Sequence, residues 1–131
     1  MASILEHVLK PVPLLRHVKS LLKSKGEIHI TVPNAHSLHR QIGLSMEMIR
    51  HLKQFSKRDH MLGHRRIYDQ KELMQNVRSA GLRIKKISGI FLKPLANSQM
   101  ESFSDSMLEE FYRMGKQFPS ICNYIYLIAT A

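Results

Sequence analysis

Three short stretches of this sequence carry side chains suited to chemistry. Glu6–His7 sets a carboxylate beside an imidazole near the N-terminus. An imidazole titrates near about pH 6.5 in an ordinary setting, so His7 is the candidate base and catalytic residue. Pro33–Asn34–Ala35–His36 ends a β-branched run, and both Asn34 and His36 carry groups that can hydrogen-bond a substrate. His64–Arg65–Arg66 closes the densest basic region, which also holds Arg50, His51, Lys53, Lys57, Arg58 and His60. Guanidinium forks and ammonium groups at that density suit phosphate. Each stretch also has a plainer reading. Glu6 can serve as a helix-start acid, His7 as a capping or core-edge residue, Asn34 as a strand-ending turn and the basic region as a solvated lid.

The eight histidines raise the question of a metal. His36 and His39, and His60 and His64, have spacings that can share a helix face. Neither pair has a carboxylate cluster or thiolate set nearby, so no metal site is assigned. Cys122 is the only cysteine; it has no internal disulfide partner and, beside an apolar run, reads as a buried inert thiol.

Twenty Lys and Arg against ten Asp and Glu give a formal charge of +10. A basic protein of this kind attracts phosphorylated small molecules, nucleic acid or anionic membranes. Phe55 and Tyr68 are the only aromatics near the basic region, a thin stacking platform, so nucleic acid is disfavoured. No apolar run approaches the ~20 residues of a membrane span, and Glu6 and His7 interrupt the short apolar N-terminus. The expectation is a soluble cytoplasmic protein. With 44% hydrophobic residues in 131, the chain has material for one core, in a single domain over 1–131.

The elements that must position these groups follow from periodicity. Val8, Val12, Leu15, Val18 and Leu22 make an apolar stripe through a helix from Pro11 to Leu22, with Gly26 as its stop signal. Glu27–Val32 alternates as a strand. Ser37 to about Leu52 reads as a helix, Phe55–Arg66 as a loop. A helix capped by Asp69 runs to Gly81. Leu82–Phe91 is a second strand. Lys93–Ser104 is a connection, and a helix from Ser104 or Asp105 reaches about Lys116. The continuous apolar run within Asn123–Thr130 suits a central strand covered on both faces. Alternation of this kind is α/β.

Several of these segments, in order, resemble parts of class I S-adenosylmethionine-dependent methyltransferases of the small-molecule type. Leu5–Glu6–His7–Val8 followed by Pro11 is similar to the family's "EH(V/L)xxP" segment after the fourth strand. Ile28–Val32 with Pro33–Asn34 resembles the fifth strand and its "VPN" end. Gly63–Tyr68 and Ala80–Gly81–Leu82 resemble the "H-x-R-x-(Y/F)" and "AGF" elements. Two positions depart from the pattern: Leu22–Lys23–Ser24–Lys25–Gly26 stands where "LKPGG" is common, and Lys10 where an acid is. The resemblance implies a partial Rossmann-like sheet, mixed, in the family order 5-7-6, with the last strand between the other two and antiparallel to them. It implies S-adenosylmethionine as cofactor, with Glu6 and His7 as cofactor contacts. Asn34, His36, His64, Arg65 and Arg66 become contacts to a small-molecule acceptor, one bearing phosphate or a linked glycan. No G-x-G-x-G occurs in the sequence. The family's glycine-rich cofactor loop therefore has no counterpart, and the chain reads as a truncated, C-terminal portion of the domain.

Two functions from different classes follow. One is a methyltransferase fragment; the other is a non-catalytic, methyltransferase-like module that pairs with another chain or an anion. A sheet cut before its fifth strand also implies a bare edge at Glu27–Val32, and lost cover over Ile28, Ile30, Val32 and the first helix. The expected remedy is a homo-oligomer or a partner chain supplying the missing strands.

Overall fold

The computed structural model describes residues 1–131. The first helix, α1, spans Pro11–Leu21. Pro11 and Pro13 lie in its first turn, where a missing N–H costs no intrahelical bond. Strand β1, Glu27–Pro33, alternates Ile28, Ile30 and Val32 into the core with His29 and Thr31 facing away. The turn between them differs from the sequence reading. Lys25, not Gly26, takes the left-handed conformation, at φ 64°. Gly26 is needed for another reason: a Cβ there would lie 2.8 Å from the Lys23 carbonyl oxygen.

The helix expected over Ser37–Leu52 is shorter. α2 covers Leu38–Ser45, and Glu47 breaks the run at φ 57°. The cause lies in Arg40. Its guanidinium donates to the carbonyls of Leu52 (2.7 Å) and Gln54, folding the following segment back across the helix. Met46 and Met48, both within the span expected to be helical, are exposed as a result. The expected loop after it contains a short helix, α3, Lys57–Met61, closed by a capping box between Ser56 and Asp59.

α4, Gln70–Ser79, starts under the Asp69 side chain, which accepts from the Glu72 N–H at 2.8 Å. It stops at Gly81, whose φ of +77° is costly for a residue with a side chain. The basic residues of α1 complete that stop. Arg16 donates to the carbonyl of Ser79 at 3.0 Å and Lys19 to that of Gly81 at 2.7 Å, charges well placed for a helix C-terminus. β2, Arg83–Ile90, carries a bulge between Ile84 and Lys86. One extra residue explains how Ile84 and Ile87, three apart, both pack against the core. α5, Asp105–Gly115, is capped by Ser104, and β3 spans Tyr124–Thr130.

The sheet order is β1-β3-β2. The apolar C-terminal strand is hydrogen-bonded on both sides and runs antiparallel to both neighbours. The expectation of a mixed sheet is therefore corrected: with β3 between β1 and β2, every strand pair is antiparallel. Parallel pairing survives only as isolated bridges, Ala2 to Thr31 and Asn34 to Tyr68.

The expected loss of cover is also overturned. Ile28, Ile30 and Val32 are at most 4% exposed, and Leu15 of α1 is fully buried. They share one core with Leu5, Leu73, Val77, Ile125 and Leu127, so α1 and α4 cover this face of the sheet from within the chain. The β1 edge has a partial cover too. Thr31 donates to the Met1 carbonyl and accepts from the Ser3 N–H, both at 3.0 Å. The strand then ends on Pro33, which has no N–H to leave unpaired.

Gly89 of β2 sits against β3's lead-in, where an added Cβ would lie 2.5 Å from Cys122 Sγ and 2.7 Å from the Pro119 carbonyl oxygen. Cys122 is fully buried, and its thiol donates to the Gly115 carbonyl at 3.1 Å, so it has little room to yield. Gly89→Ala is expected to destabilise the protein by about 1–3 kcal/mol, through overpacking, as a lowered urea midpoint with unchanged slope. An unchanged midpoint would show that Cys122 and Pro119 move aside freely.

Candidate functional site

The site is built where the N-terminal segment passes the carboxyl end of β1. Because Ala2 runs parallel to Thr31, the chain carries Glu6 and His7 beyond Val32 and Pro33. A turn closed by the His7 N–H on the Ile4 carbonyl (3.0 Å) then sends it toward α1. Residues 63–68 return to the same place. The Arg65 N–H donates to the Glu6 carbonyl at 2.8 Å, and the Ala35 N–H to the Tyr68 carbonyl at 2.8 Å. Arg66 fastens the junction. Its guanidinium donates to the carbonyls of Leu5 (2.8 Å), Val8 (2.6 Å) and Leu9 (3.1 Å), and it lies 5.9 Å from the centre of the Tyr68 ring.

Glu6, His7 and His64 meet here, their potential ligand atoms all within 4.8 Å of one another. The His7 and His64 rings are edge to face at 4.7 Å. Glu6 is fully buried, and neither carboxylate oxygen has a hydrogen-bond partner. A buried side chain with two oxygens lacking partners is costly, on the order of a few kcal/mol, and a donor or cation beside it would offset that cost. His64 is held from behind: its Nδ1 lies 2.8 Å from Asp59 Oδ1, with both side chains largely buried. Asp59 is fixed in turn by the Ser56 backbone N–H (2.7 Å) and hydroxyl (2.6 Å), with Arg40 at 3.9 Å. Burial alone would raise the Asp59 pKa; the Ser56 hydrogen bonds and the charges of Arg40 and His64 outweigh it and hold the pKa below the ordinary value.

The sequence-selected residues divide into three groups. Glu6, His7 and His64 converge. Asn34 is 3% exposed and fully engaged: its side-chain NH2 donates to the carbonyls of Ser120 and Cys122 at 2.9 Å, and its Oδ1 accepts from the His36 N–H at 2.9 Å. It braces the lead-in to β3 and leaves no donor for a ligand. Arg66 is likewise committed to three carbonyls, so it positions the Glu6 segment instead of facing an anion. His36 and Arg65 are exposed. His36 borders an open groove of about 470 Å³ with Gln41, Asp69, Gln70 and Ser120. A larger hollow, about 910 Å³, lies at the opposite end of the sheet among Lys23, Lys25, Arg83 and Lys85. It holds none of the convergent groups, and we place the site at Glu6–His7–His64.

Neither histidine pair weighed for a metal shares a helix face, since His36 precedes α2 and His64 follows α3. The grouping that forms joins His7 to His64 across 57 positions. Asp59 and Arg40 escaped the sequence reading. Asp59 had one signal: it is the only acid between Glu47 and Asp69, three residues after Ser56. In the basic region, Lys53 is neutralised by Asp69 (2.8 Å) and Glu72 (2.9 Å), which leaves Arg50, Lys57, Arg58 and Arg65 as its exposed cations.

Neither protein-family models nor curated protein sequences give a match to this chain.

Arg66→Ala is expected to cost about 2–4 kcal/mol in urea unfolding, because three carbonyls lose a charged donor. Arg66→Lys should recover only part, a single ammonium being unable to span the three. Equal stability of all three proteins would show that the guanidinium is not the clamp. A second expectation concerns His39 on α2, whose Nδ1 is buried without a partner. Burial, then the charges of Lys93 and Arg40, push its pKa down from 6.5 to about 4. The folded state therefore binds this proton less readily than the unfolded chain. Stability is fully present above about pH 6.5 and declines as pH falls toward 4, by about 2 kcal/mol after allowance for solvent screening. Urea midpoints at pH 7 and 4.5 should fall more for the natural protein than for His39→Gln; parallel falls would exclude His39 as the source.

Proposed function

We propose that this chain is the acceptor-side portion of a class I S-adenosylmethionine-dependent methyltransferase acting on a small molecule. One observation carries the reading. Three of the segments that resemble the family, Leu5–Val8, Val32–Asn34 and Gly63–Tyr68, come together at the carboxyl end of β1, where open α/β sheets place their sites. Main-chain bonds between Arg65 and Glu6, and between Ala35 and Tyr68, join them. On this reading the bound cofactor supplies the methyl group. The chain's own residues align and neutralise the acceptor. Glu6, His7 and His64 meet its reacting end, and Arg65 with the exposed cations of the basic region attracts a phosphate or other anionic part.

The glycines set a limit on what the chain does for the cofactor. Gly89 and Gly115 pack on Cys122, Gly26 relieves a turn, Gly43 lies within α2 against Ile49, and Gly63 and Gly81 occupy left-handed turns. None forms a cradle for the cofactor's methionine part. Affinity for the cofactor is therefore expected to be weak, in the millimolar range, since several hydrogen bonds each worth about 1 kcal/mol are missing.

The test is a ¹H–¹⁵N NMR titration of the chelator-treated chain with S-adenosylhomocysteine. Fast-exchange shifts should centre on Glu6–Val8, Asn34–His36 and Gly63–Tyr68. No shifts at several millimolar ligand, or shifts confined to the Lys23–Arg83 end, would overturn the reading and favour a non-catalytic module.

A further inference from the structure

We infer that Glu6, His7 and His64 form a binding site for a divalent transition-metal ion of the zinc class, with Asp59 as the group that orients His64. The inference rests on side-chain geometry and is independent of methyl transfer. Three kinds of observation meet at this point.

The first is the donor set. One carboxylate and two imidazoles suit zinc and its neighbours, whereas an all-oxygen set would suit magnesium or calcium. Tetrahedral ligands about 2.0–2.1 Å from zinc stand about 3.3 Å apart. The donor atoms here lie within 4.8 Å of one another, so closure asks for side-chain adjustments of about 1.5 Å at most.

The second is the state of Glu6. It is fully buried, both oxygens lack a partner, and no Lys or Arg side chain is paired with it. Arg66, whose guanidinium lies against the backbone on either side of Glu6, is committed to the carbonyls of Leu5, Val8 and Leu9. A cation held between Glu6 and the two imidazoles supplies the missing counter-charge. His7 is also free to serve, since neither ring nitrogen is hydrogen-bonded within the chain; its ring lies edge-on to that of His64 at 4.7 Å.

The third is the arrangement behind His64. Asp59 Oδ1, 2.8 Å away, accepts a hydrogen bond from Nδ1–H, and this tautomer presents Nε2 with its lone pair to a metal ion. A carboxylate behind a histidine is the usual outer support of a metal ligand, fixing tautomer and ring orientation. Asp59 is itself locked by Ser56 and faced by Arg40. Three protein ligands leave a fourth position for water or a substrate oxygen, the pattern of a reactive zinc site and not a closed structural one.

The experiment uses the full chain, stripped with chelator and titrated with Co²⁺ and Zn²⁺. One Co²⁺ per chain should bind with the visible absorption of four- or five-coordination, be displaced by Zn²⁺, and raise the melting temperature. Glu6→Gln should weaken binding at least 100-fold while folding normally, since it keeps the shape of the buried side chain and removes the anionic oxygen ligand. Asp59→Asn, which keeps the shape of the α3 cap, should weaken it about 10- to 100-fold. His17→Gln, exposed on α1 and outside the cluster, should leave it unchanged. If Glu6→Gln and His7→Gln bind as the natural chain does, the ion sits on surface histidines and the inference fails. It fails equally if no Co²⁺ binds at one per chain, or if only six-coordinate Co²⁺ absorption appears.

Discussion

A guanidinium laid across three backbone carbonyls holds the first nine residues against the body of the protein. Leu5, Val8 and Leu9 lie in an irregular segment whose carbonyls have no helix or strand to satisfy them, and Arg66 supplies the donors. That contact spans about sixty positions of sequence. It puts Leu5 into the same core as Ile30 and Leu127, and fixes the backbone on which Glu6 and His7 are mounted. Without it, the short pairing of Met1–Ser3 with Thr31 would be the main tie between this segment and the sheet, and a few edge hydrogen bonds are a weak anchor. Tyr68, fully buried two residues on, gives Arg66 a fixed base: its hydroxyl accepts from Asn76 of α4 at 3.1 Å.

The same constraint shapes the electrostatics. In a chain of formal charge +10, an acid within a basic stretch has many cations to choose from. Asp59 is claimed by the Ser56 cap, by Arg40 and by His64, and so becomes the link between the folded-back segment after α2 and the Glu6 cluster. Arg40 takes part through geometry as much as charge, its fork also holding Leu52 and Gln54. The basic region is thus not one solvated face. Some of its side chains are structural ties, and the remainder stay free to attract anions.

Periodicity made the larger elements legible: the three strands, α1, α4 and α5 lie close to where apolar spacing and caps put them. Asp69 and Gly81 mark the ends of α4 because each acts locally, through one side-chain bond and one left-handed residue. What the sequence hid was non-local. The shortening of α2 depends on carbonyls twelve and fourteen residues from Arg40. The cover over β1 depends on how α1 and α4 pack, which no local pattern states. The candidate cluster is legible in the sequence only as residue types: Glu6, His7 and His64 stand among the seven residues it singles out, and the other four do not join it. The convergence of the three is not legible, because it requires Arg66, chosen for its charge, to act on backbone carbonyls instead of a ligand. Asn34 shows the same limit: an amide after a strand suggests substrate contact, yet its neighbours across β3's lead-in consume its donors.

At Glu6 the structure works against its own stability more than at Ser37 Oγ or His39 Nδ1, which are also buried without partners, because both oxygens of an acidic side chain are left idle. Asn34 and Asp59, by contrast, have their side-chain polar atoms hydrogen-bonded. A carboxylate with two idle oxygens inside a core persists only if its surroundings over-determine its position. Here they do. Leu5 on one side is locked in the core, the Glu6 carbonyl is held by Arg65, and the turn to His7 is closed by Ile4. The backbone would have to break these ties to release Glu6 to water. An apolar side chain of similar volume would meet the burial at lower cost, so burial gives no reason for a carboxylate at this position. The reason must lie in what the carboxylate faces, and it faces two imidazoles, one of them oriented from behind by an aspartate.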